Sequence, residues 1–185
     1  RGLKKNRIFI DNILSQKDIK KDHKEIKKKI TLNDNYIFIF VGINQIISKS
    51  LLKTPRSGCF NCHAGKLPKY RGTSIIPWQI INGEKSGECN ILKMTEDIDD
   101  GKIYLKEKYK ILNSDNATTI SDKCNLIFLK QIIKLIRNFK NKKKFVFKSQ
   151  KNSTKNMIWT KRKPKDGKID WSNKSKDIYN FVRAL

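Results

Sequence analysis

The sequence has no run of about 18 apolar residues, so it encodes no membrane-spanning helix. Its first residues, RGLKKNRIFIDN, lack the apolar stretch and small-residue cleavage site of a secretory signal. There are only two histidines, His23 and His63, and four cysteines, at 59, 62, 89 and 124, without the even spacing of a disulfide framework. That usage points to a reducing, cytoplasmic setting. Acidic residues are scarce, 17 against 42 Lys and Arg, which leaves a net charge of +25. Such an excess reads either as a footprint for nucleic acid or another polyanion, or as a solvated, lysine-rich surface. The lysines are spread along the chain without interleaved aromatics that would stack bases, which favours the surface reading. No internal repeat is present. At 185 residues the chain can build one domain with a proper core and a short appendage. It starts at Arg1 and stops at Leu185 inside a helical pattern, so the expectation is a fragment cut at both ends.

Residues 17–30 are strongly charged and read as an exposed helix or irregular connection. An Asn33-Asp34 turn signal precedes residues 36–41, a β-branched and aromatic run closed by Gly42, which suits a strand buried on both faces of a parallel sheet. Residues 43–52 read as a helix and residues 59–63 as a second, short strand. Residues 75–82 fit a helix stopped by Asn82-Gly83. Residues 88–94 and 103–111 read as strands flanking the acidic loop 96–101. Over 118–139 apolar residues recur at helical spacing, with a broad face to bury. Beyond Phe147 the composition turns polar. A final helix carries Ile178, Phe181, Val182 and Leu185, with Ser172, Asn173 or Ser175 as its cap. Strands alternating with helices, then adjacent strands, indicate an α/β sheet with a mixed edge.

Cys59-Phe-Asn-Cys62-His63 matches the C-x-x-C-H string that attaches a c-type haem. Haem attachment needs both thiols on one side. On a strand, residues three apart face opposite sides, so the strand reading argues against haem. Zinc fares worse, because His23 is the only other histidine and Cys89 and Cys124 form no second pair. The same parity puts Cys59, Asn61 and His63 on one face, with Phe60 and Cys62 on the other. An amide and an imidazole two residues apart at the end of a strand then point into the crevice where open α/β sheets bind ligands.

The segment Asn61-Cys-His63-Ala-Gly-Lys-Leu-Pro68-Lys-Tyr-Arg71-Gly72 resembles the N-x-H…L-P-x-x-R-G segment of the 10-formyltetrahydrofolate-dependent formyltransferases. Trp78-Gln-Ile-Ile-Asn82-Gly83-Glu84 looks like the helix and turn that follow it there, and Ile98-Asp99-Asp100-Gly101 is similar to the family's D-x-G loop. Phe40-Val-Gly42-Ile-Asn-Gln-Ile-Ile47 resembles the strand and turn that line the folate pocket. Residues 161–185 resemble the family's linker and the start of its C-terminal domain. The likeness spans residues 36–185 in order. It departs from many members at Ala64-Gly65-Lys66, and the family's first strands are not visible before residue 36.

The resemblance implies an α/β, Rossmann-like formyltransferase catalytic domain over 1–150, with a mostly parallel sheet whose N-terminal strands are missing. A linker and the beginning of a C-terminal domain follow over 151–185. It implies 10-formyltetrahydrofolate as co-substrate, no metal, and catalytic roles for Asn61, His63 and Asp99. Formyl transfer moves an acyl group between nitrogens, so donors aimed at the developing oxyanion matter most. Asn61 and His63 would supply them, while Asp99 orients the imidazole and helps move the proton from the attacking amine. Gly42, Ile43, Asp97 and Ile98 are the expected folate contacts. Arg71 either fixes its loop or meets an anionic substrate, with the first role favoured. Trp171 and Tyr179 are expected to pack. The acceptor amine belongs to a nucleotide-linked sugar or to initiator methionyl-tRNA. Tyr179-Asn180 before Val-Arg-Ala, and Ala64-Gly65 after His63, look more like the sugar-modifying branch, which is the acceptor preferred on sequence. A third reading is a non-catalytic basic binding module on the same fold.

Overall fold

A computed structural model describes residues 36–150 and 158–185. The expectations for residues 17–30 and for the Asn33-Asp34 turn lie outside these. In chain order the elements are β1 (Phe38–Val41), α1 (Lys49–Leu52), β2 (Cys59–His63), β3 (Arg71–Gly72), α2 (Ile75–Ile81), β4 (Ser86–Lys93), β5 (Ile103–Lys110), α3 (Ala117–Lys140), β6 (Ile158–Trp159), a 3-10 turn (Pro164–Gly167) and α4 (Ser175–Arg183).

The main sheet has the order β1-β2-β4-β5. Its β1–β2 ladder is parallel, whereas β2–β4 and β4–β5 are antiparallel. The sheet over the described residues is therefore mixed, which corrects the expectation of a mostly parallel one. The chain between β4 and β5 is too short for the crossover that parallel pairing needs, so the two strands return antiparallel. Nor is β1 buried on both faces: Val41 is exposed, and only Phe40 of the strand is fully buried. A second, two-stranded sheet pairs β3 with β6.

Helix α3 closes one face of the sheet. Its buried residues Ile120, Cys124, Phe128, Gln131 and Leu135 recur at three or four positions, which aligns them on one stripe. They join Phe60, Cys62, Cys89, Ile91 and Tyr109 in the principal core. Each fully buried Leu, Ile or Phe of this layer contributes about 1.5–3 kcal/mol. At the start of α3, the Asn116 side chain accepts from the Thr119 amide (2.9 Å) and the Thr119 hydroxyl oxygen accepts from the Asn116 amide (3.0 Å). This capping box satisfies two of the donors that a helix start leaves over. On the other face a smaller core gathers Phe40, Ile47, Leu51 and Cys59.

Three local expectations change. Residues 43–48 are not helical. The helix begins only at Lys49, where the Ser48 side chain accepts from the Leu51 amide, and the three β-branched isoleucines before it favour extended backbone. At α4 the capping position falls on Lys174, because Ser172 is already engaged by the Asp170 carboxylate through both its amide (3.0 Å) and its hydroxyl (2.6 Å). Trp171 and Tyr179 are exposed rather than packed, although the Tyr179 hydroxyl donates to the Asn113 carbonyl. The downstream segment docks instead through Trp159, stacked on Tyr70 at 5.5 Å, and through Trp78, whose indole N–H donates to the Thr160 carbonyl.

Candidate active site

Strand parity sorts the C-x-x-C-H string as expected. Cys59 lies in the smaller core and Cys62 in the principal one, on opposite faces of β2. Burial pushes the Cys62 thiol up to about 12, and burial does the same to Cys59 against the opposing pull of Lys93. Both remain protonated thiols at neutral pH, poor nucleophiles and poor metal ligands.

Asn61 and His63 share the other direction, toward a loop that folds back from the end of β4. That loop delivers Asp99, whose backbone is left-handed at φ 49°. Asp and Asn tolerate this region better than most residues. The Asp99 carboxylate is the hub of the site. One oxygen accepts from the Asn61 side-chain amide (3.0 Å). The other lies 3.3 Å from His63 Nδ1 and accepts from the Gly72 amide (3.0 Å). The His63 and Asp99 side chains are only 6% and 10% exposed, so these contacts work at reduced dielectric. The other imidazole nitrogen, Nε2, lies 2.5 Å from the Tyr70 carbonyl oxygen. Both ring nitrogens are thus occupied. Donation from His63 to a substrate oxygen requires Nε2 to leave Tyr70, whereas Asn61 has a second amide hydrogen to give.

The residues around the trio are held from outside it. Tyr70 donates its hydroxyl to Glu84 (3.0 Å), which also receives Lys66 (2.6 Å) and Lys69 (2.7 Å). Burial works to raise the Glu84 carboxyl, but these three donors prevail and hold it at about 2. Asn90, fully buried, donates to the Gly65 carbonyl at 2.7 Å, and Gln79 donates to the Ala64 carbonyl at 2.9 Å. The β2–β3 connection that supplies the Tyr70 carbonyl is therefore fixed along its length.

A cavity of about 410 Å³ opens beside the trio. Its walls come from residues 41–47 after β1, the end of β2, residues 72–77, the loop 94–99, and the α3 residues Ser121, Cys124, Asn125 and Phe128. Every expected catalytic and folate-binding residue, Gly42, Ile43, Asn61, His63, Asp97, Ile98 and Asp99, lines it. Arg71 does not. Its guanidinium, almost fully buried, pairs with Asp100 and donates twice to Gln150. The α3 wall and Gln150 escaped sequence reasoning, since helical spacing marks a buried face without saying what lies beyond its end. Among the described residues no cluster of three or more His, Cys, Asp or Glu could hold a metal ion.

The volume falls within the range of small-molecule sites, roughly 300–1,000 Å³. The walls are apolar at Val41, Ile43, Met94 and Ile98, and the Gln45 side-chain nitrogen is buried there without a hydrogen-bond partner. An orphaned donor beside an apolar wall suits a flat, heteroatom-rich ligand such as a pterin.

A family model described as "Formyl transferase" matches residues 5–134. The chain belongs to the formyl transferase family. Among curated formyl transferases, the methionyl-tRNA formyltransferase of Thermodesulfovibrio yellowstonii is 36% identical over 171 residues, covering 92% of this chain and 54% of the relative. The chain spans about half the length of the curated methionyl-tRNA formyltransferases it matches. Among solved structures, methionyl-tRNA formyltransferase from Clostridium thermocellum superimposes with a TM-score of 0.71 at 20% identity, over 94% of this chain and 69% of that one. The N-formyltransferase from Helicobacter canadensis, in complex with folinic acid and dTDP-3-aminofucose, gives 0.67 at 22% identity, over 83% and 58%. At these identities the two structures establish the formyltransferase fold.

Proposed function

We propose that this chain transfers a formyl group from 10-formyltetrahydrofolate to a primary amine, and that the amine is that of methionyl-tRNA. The observation that carries the first part is the Asp99 carboxylate bridging Asn61 and His63 at the wall of the cavity. Residues Gly42, Ile43, Asp97 and Ile98 would hold the folate, with the Gln45 amide as a further donor. When bound, the folate supplies an activated formyl group. The second Asn61 amide hydrogen donates to the formyl oxygen as negative charge builds there, and an orienting dipole fixed in advance lowers the cost of that charge. Asp99, anchored by the Asn61 and Gly72 amides, would take up the proton released by the attacking amine and pass it to the folate nitrogen as that nitrogen's bond to the formyl carbon breaks, releasing tetrahydrofolate. His63 keeps the carboxylate aimed, and it can become a second donor if substrate draws Nε2 away from Tyr70.

For the acceptor, the curated relatives revise the preference drawn from motifs. A 36% identity over 92% of this chain to a methionyl-tRNA formyltransferase supports that acceptor. The net charge of +25 fits a polyanionic substrate, whose phosphates reward spread positive charge. An amino-sugar nucleotide is the second reading, favoured by Ala64-Gly65 after His63. The test supplies formyl-labelled 10-formyltetrahydrofolate with methionyl-tRNA or with amino-sugar nucleotides. Label on methionyl-tRNA is expected, and label only on sugar reassigns the acceptor. No transfer to either, by a folded protein that binds folate, leaves the non-catalytic binding module.

A further inference from the structure

Gln150 lies about fifty residues beyond the Asp99 loop and outside the segment matched by the family model. The chain returns it to the site through two contacts. Lys148 forms an isolated antiparallel bridge with Ile103, with both hydrogen bonds at 2.8 Å. Phe145 and Phe147 pack against Phe60, with ring centroids at 5.5 and 6.3 Å. The Gln150 side-chain nitrogen then donates to the Asp99 carbonyl (2.7 Å) and to the Gly101 carbonyl (2.9 Å). Its side-chain oxygen accepts from Arg71 Nε (3.2 Å) and Nη2 (2.8 Å). Both donors and both acceptor positions of the amide are used.

These four bonds join the two loops that fix the Asp99 carboxylate. One is the loop of Asp99 itself, held by its own carbonyl and that of Gly101. The other contains Arg71, whose neighbour Gly72 donates its amide to the carboxylate. Asp99 adopts a left-handed backbone that most residues avoid, and such a conformation persists only where its surroundings overdetermine it. We infer that Gln150 is a positioning residue, which sets the Asp99 carboxylate against His63 and Asn61 by clamping the Arg71 and Asp99 loops together.

The chemistry demands an amide at this position. A glutamate has the same shape and can still accept from Arg71, but it has no hydrogens for the two carbonyls and sets a carboxylate oxygen against them. Gln150→Glu therefore removes the donor half of the clamp while leaving the Phe145 and Phe147 packing in place. The inference rests on the proposed formyl transfer for its kinetic consequence but not for its structural one.

The sequence contains only two histidines, so a 15N-histidine-labelled full chain gives a spectrum in which His63 is identified by its loss in His63→Ala. In Gln150→Glu the His63 ring resonances are expected to move, because the carboxylate opposite Nδ1 is released. Gln150→Ala, which removes both halves of the clamp, is expected to move them in a variant that carries no new charge. Where the wild type turns over, kcat for formyl transfer is expected to fall about 10- to 100-fold with KM for folate retained, the scale of a misplaced reacting group. Near-UV circular dichroism and thermal melting report whether the variants fold. Folded variants with unshifted His63 resonances, or with wild-type turnover, overturn the positioning role. A wild type that transfers no formyl group defeats the functional reading alone, and the resonances then decide the role of Gln150.

Discussion

Gly65 leaves no room for a side chain beside His63, and Gly65→Ala should show it. A Cβ at this position would lie 2.6 Å from Ile75 Cγ2, 2.8 Å from His63 Nε2 and 2.8 Å from the Tyr70 carbonyl oxygen. The added methyl would thus wedge into the hydrogen bond between the imidazole and Tyr70. The Tyr70 side cannot give easily, because its hydroxyl and the two flanking lysines are tied to Glu84. Ile75 is buried at the start of α2, so it moves only by shifting the helix. The displacement therefore falls on His63, and through it on Asp99. Overpacking of this kind costs about 1–3 kcal/mol, and severing a buried hydrogen bond adds about 1–3 kcal/mol. At roughly 2–4 °C per kcal/mol for a chain of this size, the melting temperature should fall by at least about 4 °C. Transfer activity should fall further than the folded fraction does, because the surviving molecules carry a displaced imidazole. Thermal melting and turnover of the same preparation measure both. A Gly65→Ala variant with wild-type melting and wild-type turnover would refute the account of how His63 is held.

Two further outcomes follow from the scaffold. Glu84 has its folded pKa held at about 2, below the ordinary value of 4.5, so its contribution is fully present above about pH 4.5 and is lost as pH falls toward 2. Glu84→Gln should therefore destabilise the protein at pH 7 by about 1–3 kcal/mol, and the gap to wild type should close between pH 4.5 and 2 in denaturant titrations; a gap independent of pH would contradict the clamp. Asn116→Ala removes the side-chain half of the α3 capping box and should cost about 1 kcal/mol, seen as a drop in melting temperature of roughly 2–4 °C. Folate affinity should change little, because the α3 wall of the cavity lies beyond the first turn.

Much of the site was legible because it depends on local rules. Parity on β2 separated Asn61 and His63 from Cys62 and set aside the haem-like string. The helical spacing over 118–139 located α3 within one residue at each end. The Asp99 loop was found through the family motif rather than through any property of an aspartate in an acidic turn. What escaped depends on contacts distant in sequence. Gln150 is an ordinary polar residue in a polar stretch until the Lys148–Ile103 bridge brings it to the loop. The Tyr70 carbonyl has no side-chain signature at all. The antiparallel return of β5 along β4 and the non-helical course of 43–48 are decided by loop length and a serine cap, both of which weigh little against a strongly apolar run. Trp171 and Tyr179 lie exposed rather than packed, because aromatic character alone does not determine which surface a ring meets.

The central claim is that Asp99 organises Asn61 and His63 for formyl transfer, and Asp99→Asn tests it most directly. Asparagine tolerates the same left-handed backbone and keeps the shape, but it turns one acceptor oxygen into a donor. The Asn61 amide, His63 Nδ1 and the Gly72 amide all face that group, so at least one of them loses its partner and the proton acceptor disappears. In a single-turnover assay with 10-formyltetrahydrofolate and the acceptor that the wild type uses, transfer should slow by about 10²- to 10⁴-fold. Folate binding should stay near wild type, while the melting temperature should fall by roughly 2–12 °C, since one unpaired buried group costs about 1–3 kcal/mol. An Asp99→Asn protein that transfers formyl at the wild-type rate would contradict the account.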